Sequence, residues 1–139
     1  MIGDGLMAIF GAPLPLPDHA GSAVRAAQEM IEMIAGFNQE RLASNKAAIR
    51  IGIGVATGEM VAGYTGTKAR ATYTCIGDTV NLAARLEAHT KLAQRAILID
   101  DTTCAGLGSG VVVEAMGAVA FKGKAAAVAV FAVGDGVIG

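Results

Sequence analysis

The chain has 139 residues, with 11 lysine and arginine against 12 aspartate and glutamate residues, which gives a formal net charge of -1 and a pI of about 6.1. This length suits one domain with a substantial core, and the balanced charge excludes a general affinity for nucleic acid or anionic membranes. Hydrophobic residues make up 53% of the chain, yet the longest apolar run, Ala125–Val133, is too short to span a membrane.

Cysteine usage points to a reducing compartment. The two cysteines, Cys75 and Cys104, lack the close spacing of a metal site. Reduced cysteines are typical of cytosolic proteins, so we expect a cytoplasmic protein or the cytosolic domain of a larger or membrane-attached one.

The chain opens with MIGDGLMAIF, in which Asp4-Gly5 favours a two-residue hairpin turn. Leu6–Phe10 is predicted to form the returning strand, although only three residues stand before the turn, fewer than an ordinary strand needs. The segment 11–17 carries all three prolines and is predicted to be a loop. Asp4 by itself indicates turn chemistry, with metal ligation as the alternative.

A long helix is predicted next, capped by Asp18 and ending before Lys46. Its apolar residues recur at helical spacing. They are Val24, Ala27, Ile31, Ile34 and Phe37.

The segment 49–56 alternates isoleucine and valine with other residues, which is typical of a half-buried strand. Gly52 and Gly54 lie on its second face, and Gly58 follows. A dinucleotide-binding loop needs GxGxxG at a strand-to-helix turn, whereas these glycines lie inside a strand with the spacing GxGxxxG. We therefore expect another backbone or a ligand to approach the bare face closely.

The remaining elements alternate between strands and helices. Strands are predicted at 59–64, 71–76, 96–99, 111–114, 119–122 and 125–133, and helices from Asp78 or Thr79 to about Thr90 and from Asp101 or Thr102. Polar turns at 65–68 and at Lys122-Gly123-Lys124 indicate hairpins. The pattern predicts an α+β fold with a mixed, largely antiparallel sheet and helices packed on it, and not a doubly wound parallel sheet.

Candidate functional residues cluster around the predicted helix at 78–90. Asn81 and Arg85 are four residues apart and share a helix face, and Thr74 lies on the strand leading into that helix. The structural alternative is that Arg85 pairs with a nearby carboxylate and Asn81 extends a cap. Lys122 and Lys124 have a similar alternative as exposed turn residues.

The order of these segments resembles the catalytic domain of class III nucleotide cyclases, the adenylate and guanylate cyclases. The similarity covers essentially the whole chain. It is carried by IGDGLMAIFGAP at 2–13, RIGIGVATGE at 50–59, VAGYTG at 61–66, Arg70, and YTCIGDTVNLAARLE at 73–87. The last stretch is long and specific.

This resemblance implies a ferredoxin-like nucleotide cyclase fold and conversion of ATP to cyclic AMP and pyrophosphate in signal transduction. Residues 1–139 would form a single partial catalytic domain, truncated at its N-terminus, with the first strand and helices of the fold missing. Two aspartates of the family hold two Mg²⁺ or Mn²⁺ ions. Asp4 matches the second aspartate, and the first would precede Met1, so we expect the chain to be inactive alone.

The resemblance also implies roles for other residues. Asn81 matches the asparagine that orients the ribose, and Arg85 the arginine that stabilises charge on the α-phosphoryl group. Lys122 or Lys124 matches a lysine that contacts the outer phosphates, and the sequence leaves open which. Thr74 matches one of two base-reading positions and favours ATP, while the other position would fall just before Met1.

The family's sites lie between the two subunits of a head-to-tail dimer. We therefore expect a homodimer in which Asp4 works with Asn81 and Arg85 of the partner subunit. A guanylate cyclase, and a cyclase-like regulatory or binding domain without turnover, remain the alternative functions.

Overall fold

The computed structural model describes residues 7–8, 10, 17–58, 61–65, 72–108, 110–121 and 126–134, with the backbone alone for 61–65 and 72–76. Within these ranges the chain forms three helices and six strands. In chain order they are α1 (His19–Ala43), β1 (Ile53–Val55), β2 (Val61–Thr65), β3 (Thr72–Ile76), α2 (Asp78–Ala93), β4 (Ile97–Asp100), α3 (Asp101–Ala105), β5 (Val113–Val119) and β6 (Val128–Val133). None of the described helices combines the length and apolar character that crossing a bilayer requires.

A four-stranded mixed sheet forms the centre of the fold, in the order β1-β4-β6-β5. The β1 and β4 strands run parallel, and the β4–β6 and β6–β5 pairs are antiparallel. The β2 and β3 strands form a separate antiparallel hairpin in which Gly63 is the partner of Thr74. The predicted α+β architecture with a largely antiparallel sheet is thus confirmed.

Helices cover both faces of the sheet. On one face, Val24 and Ala27 of α1 pack in a cluster with Ile97 and Ile99 of β4. On the other face, Leu82 and Leu86 of α2 pack with Leu98 of β4 and with β6. Side chains alternate between the two faces of a strand, so β4 contributes to both halves of the core.

Several element boundaries differ from the prediction. The predicted strand at 49–56 is reduced to β1, because the residues before Ile53 run beside α1 and have no strand partner among the described residues. The two strands predicted at 111–114 and 119–122 form the single strand β5, which has a register irregularity between Ala115 and Ala118. Gly117 lies at this irregularity with φ of +87°, a conformation that favours glycine.

The start of α1 also differs in its detail. Asp18 occupies the N-cap position, but its side chain makes no capping hydrogen bond. Instead its carboxylate pairs with Arg25, with 3.4 Å between Oδ2 and Nη1. The strand predicted at Leu6–Phe10 is not found at its described residues, since Met7, Ala8 and Phe10 belong to no strand. The Lys122-Gly123-Lys124 turn lies outside the described residues.

The segment before β1 is attached to α1 through the side chain of Asn38. The Asn38 amide donates to the carbonyl oxygen of Ile49 at 2.8 Å and accepts from the backbone N–H of Ile49 at 2.7 Å. Arg41 adds a bond from Nε to the carbonyl oxygen of Ala47 at 2.7 Å. One side-chain amide therefore makes the pair of backbone hydrogen bonds that a neighbouring strand would otherwise offer to Ile49.

We predict that Asn38→Asp lowers the free energy of unfolding by about 1 kcal/mol at neutral pH, because a carboxylate cannot donate to the carbonyl of Ile49. Urea denaturation followed by circular dichroism measures this change. Asn45→Asp is the matched control, since it introduces the same charge at an exposed position just after the end of α1. Equal unfolding midpoints for the two variants would contradict the role given to the Asn38 amide.

Candidate functional site

The start of α2 is set by a sharp strand-to-helix turn. Gly77 separates β3 from α2 and has φ of 138°, which side chains other than glycine rarely adopt. The backbone N–H of Asn81 bonds to the carbonyl oxygen of Gly77 at 3.2 Å. This turn places Thr74 of β3 and Asn81 of α2 on either side of a single glycine.

The two faces of α2 have different environments. The residues buried toward the sheet are Leu82, Leu86 and Thr90. Asn81 and Arg85 each precede one of the buried leucines and are exposed. The predicted common face of Asn81 and Arg85 is therefore present, and it is turned away from the core.

Neither of these two side chains is engaged by the rest of the described chain. Among the residues that the structure describes, no side-chain hydrogen bond or ion pair joins Asn81 or Arg85 to another residue, and α2 has no side-chain cap. The structural alternatives, a paired Arg85 and a capping Asn81, thus have no support there. The guanidinium and the amide are both accessible to a ligand.

Three glycines in and beside β1 determine how closely α2 approaches the sheet. A Cβ atom built at Gly58 would lie 2.6 Å from the hydroxyl oxygen of Thr79 at the start of α2. One built at Gly54 would lie 2.5 Å from the backbone nitrogen of Glu87, and one at Gly52 would collide with the side chain of Thr90. The expectation that another backbone approaches this glycine face closely is confirmed, and that backbone belongs to α2.

Of the other predicted site residues, one lies on a described strand and three lie outside the described part of the chain. Thr74 lies on β3, for which the structure describes the backbone alone. Asp4, Lys122 and Lys124 lie outside the described residues. The described structure therefore places Thr74 on β3, and Asn81 and Arg85 on the helix that follows it after Gly77.

A metal site is not found among the described residues. Within those ranges, no group of three histidine, cysteine, aspartate or glutamate side chains could hold a metal ion. Asp4, the expected ligand, falls outside them.

A buried polar cluster that the sequence did not predict lies where β1 and β4 end. The carboxylate of Asp100 accepts from the backbone N–H of Thr103 at 3.0 Å, which makes Asp100 the N-cap of α3. The hydroxyl groups of Thr103 and Thr57 are 2.7 Å apart. An aspartate at position 100, just before the predicted helix, was the sequence signal that could have indicated this N-cap. The contact between Thr57 and Thr103 joins the end of β1 to α3.

Comparison with known proteins gives the family. Residues 1–134 match the model of the adenylate and guanylate cyclase catalytic domain. The chain belongs to this family. It is 34% identical over 131 residues to adenylate cyclase 1 of Rhizobium meliloti strain 1021, covering 94% of this chain and 20% of that protein. The cyclase domain described here thus spans a fifth of the length of this relative.

Solved structures agree with this assignment. The guanylyl cyclase Cya2 superposes on 99% of this chain and 68% of its own chain, with 33% identity and a TM-score of 0.84. The adenylyl cyclase CyaB from P. aeruginosa superposes on 91% of this chain and 65% of its own, with 30% identity and a TM-score of 0.80. The cyclase fold expected from the motifs is confirmed, and similar structures include enzymes named for either nucleotide.

We predict that Leu86→Ala lowers the free energy of unfolding by about 2–5 kcal/mol, since it removes a fully buried side chain that holds α2 on the sheet. Leu92→Ala is the control on the same helix, because Leu92 is 82% exposed. Its effect should stay within about 0.5 kcal/mol. Thermal and urea unfolding measure both changes, and similar losses for the two variants would contradict the packing of α2 described above.

Proposed function

We propose that this domain is an adenylate cyclase that converts ATP to cyclic AMP and pyrophosphate in cytosolic signal transduction. The observation that carries the proposal is the exposure of Asn81 and Arg85 on one face of α2, the helix that directly follows the strand carrying Thr74. Membership of the cyclase family supplies the reaction class.

Arg85 would stabilise the charge that develops on the α-phosphoryl group as pyrophosphate leaves. A guanidinium is always charged and presents a planar set of donors, which suits two phosphoryl oxygens at once. Donors aimed at developing charge stabilise the transition state more than the bound substrate, typically by about 3 kcal/mol for one group. Its exposed position on α2 leaves this fork available to the nucleotide.

Asn81 would orient the ribose. Residues four apart rise about 6 Å along a helix, so Asn81 and Arg85 can reach neighbouring groups of one nucleotide. A neutral amide offers both a donor and an acceptor for sugar oxygens, without attracting or repelling the phosphates.

The base is proposed to be adenine because of Thr74. In the family, threonine or aspartate at this position accompanies ATP, whereas cysteine or a similar small residue accompanies GTP. The relative from Rhizobium meliloti is named an adenylate cyclase. A guanylate cyclase is the second candidate, since Cya2, named a guanylyl cyclase, has a TM-score of 0.84 with this chain. The presence of both Asn81 and Arg85 argues against a domain without turnover.

Asp4 is proposed to bind Mg²⁺ or Mn²⁺, two ions per site in this family, because a carboxylate is a suitable ligand for hard cations. Such ions, when bound, favour attack by the ribose 3′-hydroxyl and stabilise the triphosphate. Lys122 or Lys124 would contact the outer phosphates as a point charge.

We also propose that the site is shared between two subunits of a homodimer. Asn81 and Arg85 are exposed and have no side-chain partner among the described residues, as expected for side chains that meet a nucleotide held partly by another chain. Asp4 would then act with Asn81 and Arg85 of the partner subunit. A two-fold dimer of this kind carries two equivalent sites.

The first test is Arg85→Ala in the domain expressed with any coding sequence that precedes it, assayed with Mn²⁺ and ATP. We expect turnover to fall about a hundredfold or more with little change in ATP affinity, because the lost interaction belongs to the transition state. Lys91→Ala, which removes an exposed cation near the end of the same helix, should leave turnover unchanged. An unchanged rate in Arg85→Ala would remove Arg85 from the site.

The second test addresses nucleotide choice. Thr74→Cys should lower the ratio of kcat/KM for ATP to that for GTP about tenfold, equivalent to about 1.4 kcal/mol, because a weakly hydrogen-bonding thiol replaces the hydroxyl. Thr102→Cys makes the same substitution at an exposed position of α3 and should leave the ratio unchanged. A parent domain that prefers GTP would favour the guanylate cyclase alternative.

A further inference from the structure

We propose that Gly54 is a positioning residue for Arg85, and that the missing side chain at position 54 fixes the distance between α2 and the sheet. The proposal rests on the proposed cyclase function and extends it to a residue that does not touch the nucleotide. Gly54 lies on β1, against the side of α2 that faces away from Arg85. It would set the position of the guanidinium through the backbone of the helix.

The contact involves the helix backbone next to Arg85. A Cβ atom at Gly54 would overlap the carbonyl oxygen of Ala83 and lie 2.5 Å from the backbone nitrogen of Glu87. Residues 83 and 87 are the two ends of one helical turn, and Arg85 is midway between them. The third atom in reach, the Cβ of Leu86, would be 2.8 Å away.

The other two glycines of this face meet side chains instead. At Gly58 the nearest atoms all belong to the side chain of Thr79, and at Gly52 they belong to that of Thr90. A threonine side chain can rotate or be truncated, whereas the backbone of an α-helix cannot yield locally without breaking its hydrogen bonds. Gly54 is therefore the position at which an added methyl group has to displace α2 itself.

The strand is less able to yield than the helix. Gly54 is paired with Leu98 of β4 in the parallel register, and Leu98 is fully buried in the cluster between α2 and the sheet. The outer face of α2, which carries Arg85, is exposed. To bring Glu87 N from 2.5 Å to an ordinary contact of 3.4 Å, α2 would move outward by about 0.9 Å.

A displacement of this size affects catalysis more than binding. Misplacing a catalytic group by about 1 Å can lower a rate about a hundredfold, since charge stabilisation depends on the position of the donors in the transition state. Ground-state affinity for the nucleotide depends on many other contacts. The proposed role thus predicts loss of kcat with little change in KM.

The experiment is a double-mutant cycle of Gly54→Ala and Arg85→Ala in the same domain and assay as above. We expect Gly54→Ala to lower kcat about a hundredfold with KM for ATP changed less than about threefold. In the Arg85→Ala background it should change kcat by less than about threefold, because the group it misplaces is absent. Gly36→Ala, at a helical glycine with open space around it, should leave kcat unchanged.

The outcomes separate the two proposals. An equal loss of kcat in both backgrounds, or a loss that appears only in KM, overturns the positioning role and leaves the cyclase function intact. A parent domain that makes no cyclic nucleotide from ATP or GTP overturns both.

A second variant covers the case in which Gly54→Ala does not fold. Leu86→Val then replaces it in the cycle, since it alters the same contact between α2 and β1 by one methylene group. A loss of kcat that disappears in the Arg85→Ala background supports the positioning role, and a loss that persists there overturns it.

Discussion

The close approach of α2 to the glycine face of β1 is the contact on which the proposed site depends. Gly54 meets the backbone of α2, and Gly58 and Gly52 meet the side chains of Thr79 and Thr90 near its two ends. Leu82 and Leu86 fill the space beside this contact. Asn81 and Arg85 are consequently held at a fixed height above the sheet on the outer face of α2. A rigid element of this kind gives catalytic groups better positional accuracy than a loop does.

The contact with β1 can position α2 only because β1 is itself held in place. One edge of β1 pairs with β4, whose side chains are buried on both faces of the sheet. The segment leading into β1 is bound to α1 through the amide of Asn38. The end of β1 is joined to α3 through the hydroxyl groups of Thr57 and Thr103. Both ends of a three-residue strand are thus attached to helices, which compensates for its short length.

Sequence patterns predicted the fold class and the positions of most elements. Alternating and helical spacings located α1, α2 and the β2–β3 hairpin to within a few residues, since these depend on local hydrophobic periodicity. The strand predicted at 49–56 was too long, because Ile49 has strand-like neighbours in the sequence but no strand beside it among the described residues. The division of β5 into two strands was also wrong, because the chain continues through Gly117 with a register irregularity between Ala115 and Ala118.

The sequence by itself determined the family and the candidate residues, because the long motif through GDTVNLAAR is specific and the spacing of Asn81 and Arg85 places them on one helix face. It also indicated that the glycine face would receive a close neighbour. Only the tertiary structure showed that this neighbour is α2, that Gly54 lies opposite the backbone of the turn holding Arg85, and that Asp100 caps α3. These facts depend on contacts between residues distant in the chain, which local periodicity does not encode.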